Sequence, residues 1–405
     1  MKNISFRGVY YTGFNVLCCV AIFFSVFTIT RVSFALETSQ VASKIPNVKP
    51  KKQKVAAGWI HNTALKSDGS VWAWGNNDKG QLGDETKTDK NKRKKIDKLT
   101  DVTDVACGWR HTVNLKSDGT VWAWGDNTNG QLGDGTNKNS DVPLQANGLR
   151  DAIAVACGGF YTVALKSDGT VCSWGENTNG QLGDGTNNFR NTPVPVVGLS
   201  DVIGIACGRA HTAAVLADGT AWAWGLNSYG QLGDGTTVSK EKPVQVVELS
   251  GVIAVACGRA HTVALKSDGT VWAWGDNENG ELGDGTTKNR DMPVQIRGLS
   301  DVIAIACGQY HTMALKSDGT VWSWGDNDHG QLGNGTITNR NTPAQVSELS
   351  GVISIAGGLE HSLAMTSDET IWAWGNNDFG QLGDGTNDSK KKNSRTKEER
   401  DNTKQ

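Results

Sequence analysis

Residues 243–292 read PVQVVELSGVIAVACGRAHTVALKSDGTVWAWGDNENGELGDGTTKNRDM. VIAVACG (252–258) is a continuous apolar run, the pattern of a strand covered on both faces. HTVALKSDGTVWAWG (261–275) is two strands around an Asp268-Gly269 turn, a strong hairpin signal. Pro243-Val244-Gln245-Val246 adds a fourth strand, with proline at its start, where a missing N–H is tolerated. Trp272 and Trp274 are two residues apart and share one face, while Val271 and Ala273 share the other. A sheet with one bulky and one small face suits stacking between two like sheets, large face against small.

The stretch recurs. His61, His111, His211, His261, His311 and His361 fall on a 50-residue step with Tyr161 in the missing slot, as do Gly75 and Gly125 through Gly375. Seven copies run from about residue 37 to 386. A period of this size signals a solenoid, propeller or array, and overrides the two or three domains that 405 residues suggest at about 150 per domain. The composition agrees: 50 glycines bracket strands and turns, and 15 tryptophans outnumber 9 phenylalanines and 5 tyrosines. That much tryptophan excludes a disordered chain, and glycine without a G-X-Y period excludes collagen and long helices. The expected fold is all-β, a closed seven-bladed β-propeller of four-stranded blades. A linear β-solenoid is the alternative. It needs polar caps, whereas the end copies keep Trp72, Trp74, Trp372 and Trp374. Leu36 to Lys54 is expected to supply the outer strand of the first copy and so close the ring.

Three regions follow. Residues 1–35 carry Lys2 and Arg7, an apolar stretch from Gly13 to Ile29 and a small-x-small site at Ser33-Phe34-Ala35, the layout of a signal peptide, with a retained anchor as the alternative. The chain is then exported and secreted or held at the cell surface. Residues 36–386 form the propeller, and 387–405 a charged, disordered tail.

The motif ACGRAHTVALKSDGTVWAWGDNENGELGDGT (256–286) strongly resembles the repeat of the RCC1 family, named for the regulator of chromosome condensation. The resemblance covers all seven copies and implies a seven-bladed propeller. The founding eukaryotic member is a guanine-nucleotide exchange factor for the small GTPase Ran and binds chromatin; many others are binding modules, and some secreted bacterial members bind and block enzymes. Exchange activity in the family depends on a wedge inserted in one blade, and this chain keeps its step without an insertion.

Cys107, Cys157, Cys207, Cys257 and Cys307 share the 50-residue step. Equivalent atoms on neighbouring copies point the same way, so these read as small buried apolar residues rather than a disulfide framework. Cys257 and His261 and their equivalents form C-x3-H, but zinc needs converging ligands, and a histidine hydrogen-bonded to backbone in each blade explains the register as well. GDNENGELGDG (275–285) has Asp276, Asn277, Glu278 and Asp284 near glycines but misses the calcium-loop spacing. No catalytic constellation emerges, so the reading is a non-enzyme without metal or cofactor.

The residues that vary between copies carry the functional expectation. The pairs before the histidine slot, with that slot, give a partner-binding rim of Trp59, Trp109, Arg110, Phe160, Tyr161, Arg209, Arg259, Tyr310 and Glu360. Symmetry places them on one rim of the ring, and Trp, Tyr and Arg dominate interface hot spots. A second variable set lies in the WGxNxxG loop: Leu226, Tyr229, His329 and Phe379. Charge divides the chain. Residues 41–100 hold 14 Lys and Arg against 6 Asp and Glu, 387–405 hold 7 against 4, and 101–386 hold 16 against 31, behind a net charge of −2. In a closed ring Lys92, Arg93, Lys94 and Lys95 adjoin Lys390, Lys391 and Lys392 as a basic seam. The expected function is that of an exported binding scaffold, a monomer with a protein partner. The alternatives are nucleotide exchange on a small GTPase, as the resemblance implies, and attachment through the seam to an anionic cell-surface polymer. A nucleic-acid partner is not expected.

Overall fold

The computed structural model describes residues 53–398. They form seven four-stranded antiparallel sheets and no helix. The blades span Lys54–Lys95, Val102–Gln145, Ala152–Pro195, Val202–Gln245, Val252–Gln295, Val302–Gln345 and Val352–Arg395 and are numbered 1 to 7 in that order. Each runs from an inner to an outer strand in sequence order. In blade 5 the inner strand Val252–Cys257 pairs with His261–Lys266, which pairs with Val271–Gly275, which pairs with the outer strand Arg290–Gln295.

Two details differ from the sequence expectation. The Pro-Val-Gln-Val strand belongs to the blade that precedes it, since Trp222 pairs with Gln245. The outer strand of blade 1 is accordingly Lys90–Lys95, paired with Val71–Gly75, and Lys54 opens the inner strand. Each blade is thus one contiguous piece of chain. Residues 36–52 and the signal segment lie outside the described residues. The propeller also runs past residue 386: Lys390–Arg395 pairs with Ile371–Gly375 as the outer strand of blade 7, where a tail was expected.

Blade stacking follows the two-faced strand. The seven tryptophans from Trp74 to Trp374 are fully buried. Trp274 packs on the small face of blade 4, against Ala213, Val215, Ala221 and Ala223. Its Nε1 donates to Gln231 O at 2.9 Å, so the one polar atom of a buried indole is satisfied by the neighbouring blade. Glycine makes room for this: a Cβ at Gly233 would lie 2.7 Å from Trp274 Nε1. The inner strands were expected to be covered on both faces. Instead Ile153, Ile203 and Ile303 are more than half exposed, because an inner strand has neighbouring blades at its sides and the central axis in front.

The histidines tie blades together. His111 Nε2 lies 3.1 Å from Thr162 Oγ1 of the next blade, and Thr162 Oγ1 donates to Gln131 O at 2.8 Å. The hydroxyl hydrogen is thus committed, which assigns the histidine as the Nε2–H tautomer, donating. The partner is a side chain of the next blade, not the backbone. The same bond links His61 to Thr112, His211 to Thr262, His261 to Thr312 and His311 to Ser362. Tyr161 fills its slot by donating from its hydroxyl to His211 O.

Blade 7 meets blade 1 by the same rules. His361 Nε2 donates to Asn62 Oδ1 at 2.7 Å, and Asn62 Nδ2 donates to Gln381 O at 2.7 Å. Asn62 thereby performs both tasks of the threonine it replaces. Trp74 Nε1 also donates to Gln381 O, at 2.9 Å. On the outer edge Arg93 N donates to Lys397 O at 2.9 Å. The ring closes without an exchanged strand.

Candidate protein-docking face

The turn between inner and second strands is built identically in each blade. Gly258 N bonds His261 O at 2.9 Å, and Asp276 N bonds Ala260 O at 2.9 Å, which brings the WGxNxxG loop to the same face. In six of the seven blades the first variable residue of the pair then reaches inward. Trp59 N donates to Gly108 O, Trp109 N to Gly159 O, Gly159 N to Arg209 O, Arg259 N to Gln309 O, Gln309 N to Gly358 O and Leu359 N to Trp59 O, at 2.9 to 3.3 Å. These bonds run round the axis, so the variable residues crown the mouth of the central channel.

Below the crown is a cavity of about 90 Å³ to which all seven blades contribute. Its wall holds Cys107, Cys157, Cys207, Cys257 and Cys307, all free thiols. Burial pushes Cys257 up to about 12 and Cys107 to about 11, which keeps both as thiols at neutral pH and unsuited to nucleophilic work.

Aromatic and guanidinium groups gather on one side of the mouth. Trp59 and Trp109 stack with centroids 4.4 Å apart, and Phe160 meets Trp109 edge-on at 5.0 Å. Arg209 lies over Trp109 at 5.2 Å, Arg110 over Trp59 at 5.9 Å and Arg259 over Tyr310 at 5.3 Å. Gly159 is part of the design, since a Cβ there would lie 2.9 Å from Arg209 O, with the Trp109 ring in van der Waals contact beside it. Arg110 also pairs with Asp78 at 2.9 Å, whereas Arg209 and Arg259 have no carboxylate within 4 Å among the described residues. These rings and guanidiniums are half-buried or exposed and hold one another in place.

Blades 6 and 7 present the opposite character. Glu360 Oε2 lies 3.3 Å from His329 Nε2, and Asn376 Nδ2 lies 3.2 Å from His329 Nδ1. Burial holds the Glu360 carboxyl above its usual range, against the pull of His329 and with the push of Asp326 and Asp378. The face is therefore basic and aromatic on one side of the axis and acidic on the other.

The structure brings together most of the expected rim and rearranges the rest. Trp59, Trp109, Arg110, Phe160 and Arg209 form one cluster, with Arg259 and Tyr310 beside it and Glu360 across the mouth. Tyr161 is fully buried in the inter-blade belt and takes no part in the surface. Of the second set, His329 joins Glu360, Leu226 and Tyr229 are half-buried on blade 4, and Phe379 is 37% exposed on blade 7. They form no cluster. The WGxNxxG loop is filled by its own asparagine: Asn277 Nδ2 donates to Asp284 Oδ1 and Thr286 O, and its Oδ1 accepts from Leu282 N. An amide thus sits where a cation would have to. The sequence reading missed Glu281, which replaces a glutamine present in the other copies. Burial raises its carboxyl to about 7. The basic seam is assembled in part: the backbone of Lys92 forms an antiparallel β-bridge with that of Asp384 across the junction of blades 7 and 1, whereas Lys391 O accepts from Gly335 N and lies against blade 6.

The sequence profile of the RCC1-like domain matches residues 31–304 and 145–405. Among solved structures the chain is similar to human WBSCR16, with 26% identity and a TM-score of 0.70 over 78% of this chain and 86% of that one. It is similar to yeast RCC1 (Prp20), solved with Kap60 bound to it, with 22% identity and a TM-score of 0.73 over 81% of this chain and 83% of that one. A structure of Prp20p from Saccharomyces cerevisiae, studied for its binding to Gsp1p and histones, gives 24% identity and a TM-score of 0.68 over 78% and 83%. At the identities of the two yeast structures the likeness is one of fold. No curated protein matches the chain.

Proposed function

The chain belongs to the RCC1-like domain family, and on that footing we propose that it is an exported, non-catalytic, monomeric binding propeller that captures a protein partner on its crown. The observation that carries this reading is the Trp59–Trp109–Phe160 stack with Arg209 laid over it. These are the side-chain types that dominate interface hot spots. They are held by each other rather than free to rotate, so little ordering remains to be done on binding. Across the mouth Glu360, in contact with His329 and near Asp326 and Asp378, orients the partner, whose matching surface is acidic toward the arginines and basic toward blade 7.

The test is capture by the mature chain. Alanine at Trp59, Trp109, Arg209 and Tyr310 together abolishes partner capture and leaves the fold intact, as far-ultraviolet circular dichroism and a cooperative melt report. Unchanged capture rejects the crown. Nucleotide exchange is the competing reading within the family. A nucleotide-release assay with small GTPases separates the two, and no stimulation is expected. Export is tested by N-terminal sequencing of the secreted product, expected to begin at Leu36.

A further inference from the structure

We propose that the junction of blades 7 and 1 is a docking groove for a linear phosphate polymer, a site separate from the crown. The outer strands of blades 2 to 6 read SDVPLQ, RNTPVP, KEKPVQ, RDMPVQ and RNTPAQ, each with a net charge between −1 and +1. Those of blades 1 and 7 read KNKRKK and KKKNSR, with five and four cations and no acid.

Counter-ions cover only part of the charge. Asp84 faces Lys90 and Lys94, Asp384 faces Lys390, Glu348 faces Lys392, and Glu398 faces Arg93 and Lys66. Lys92, Lys95, Lys391, Arg395 and Lys397 have no carboxylate within 4 Å among the described residues. Lys92 and Lys397 flank Gly385 together, their side chains 3.1 and 3.8 Å from where its Cβ would stand.

A second observation points to an anion. A groove at the seam is lined by Arg93, Arg395, Thr396, Lys397 and Glu398. Arg93 in its wall is only 7% exposed, yet its Nε and Nη1 have no acceptor among the described residues. A buried guanidinium with open donors is costly, and a multi-oxygen anion is the group that satisfies it. Glu398, 3.4 Å from Arg93 Nη2, already holds one such place from within the chain. Cations on both walls of a groove suit a chain of anions rather than a flat array of headgroups. Neither outer strand carries an apolar side chain to enter a bilayer.

The experiment measures binding of labelled long-chain inorganic polyphosphate to the full mature chain against salt. The variant Lys92→Glu/Lys397→Glu is expected to bind at least about tenfold more weakly and with a shallower salt slope. Lys→Arg at the same positions retains binding, and Arg209→Glu/Arg259→Glu on the crown leaves it unchanged. The proposal is overturned if the seam variant binds like wild type or if the crown variant loses as much. It is equally overturned if hyaluronate or phosphatidylserine vesicles bind more tightly than polyphosphate.

Discussion

At the scale of single residues, the inter-blade histidines decide how the protein meets acid. Burial lowers His61, His111, His211, His261 and His361 to about 3 and His311 to about 4, from an unfolded value near 6.5. The unfolded chain then binds more protons than the native one below about pH 6.5, so stability falls as pH drops from there towards 3. Denaturant titrations at pH 7.5, 6 and 5 are expected to show a decreasing midpoint, steeper than in a variant with one histidine replaced by tyrosine, the residue blade 3 uses. Thr262→Val leaves the His211 Nε2–H unpaired and is expected to cost about 1–3 kcal/mol. Trp274→Ala empties a fully buried site at a cost of about 3–5 kcal/mol, and Trp272→Ala, half-buried, costs less in the same measurement. The sequence showed that the histidines were equivalent, but not what they touch. The partner lies 51 residues on, and the clue was the His-Thr pair of the second, fourth, fifth and sixth copies, which becomes Tyr161-Thr162 in the third, His361-Ser362 in the seventh and His61-Asn62 in the first.

At the scale of elements, the outer strands carry the information. Position 93 is proline in its counterparts Pro143, Pro193, Pro243, Pro293 and Pro343, and only a residue with an N–H can bond Lys397 O. Arg93→Pro fits the strand geometry used by five sister blades and removes that bond. It is expected to cost about 1 kcal/mol or more and to speed hydrogen exchange and proteolysis around Thr396 to Glu398. The strands themselves were legible from alternation, the Asp-Gly turns and the paired tryptophans. Where a blade begins was not. A strict period fixes the step and is silent about the starting point, so the Pro-Val-Gln-Val strand was joined to the wrong neighbour. Lys390–Arg395 was hidden for a different reason: its composition is that of a solvated tail, and it becomes a strand because Gly375 and Trp372 offer it a paired edge. The crown was legible as a set of unusual residues. Its contacts were not, because Trp59, Trp109 and Phe160 lie in three different copies and meet only once the ring curves.

At the scale of the whole molecule, contiguous blades make the ring tolerant of where the chain is cut. Residues 146–151 carry the chain from the outer strand of one blade to the inner strand of the next. A linker of similar length joining residue 398 to residue 53, with new termini between residues 96 and 101, is expected to give a permuted protein with the same circular dichroism and a melting temperature within a few degrees. Loss of cooperative melting would show that the junction of blades 7 and 1 does more than close the ring. That junction also sets the order of events during synthesis. Trp74 finds its acceptor on Gln381, 307 residues later, and Val55 and Ala64 are covered by Leu363 and Met365. At about 5–20 residues per second the flank of the first blade stands bare for about 15–60 s while the ribosome makes its cover. For that interval the protein is an open arc with a sticky flank, and the lysines along Lys90–Lys95 give the adjoining edge a charge that repels other nascent chains.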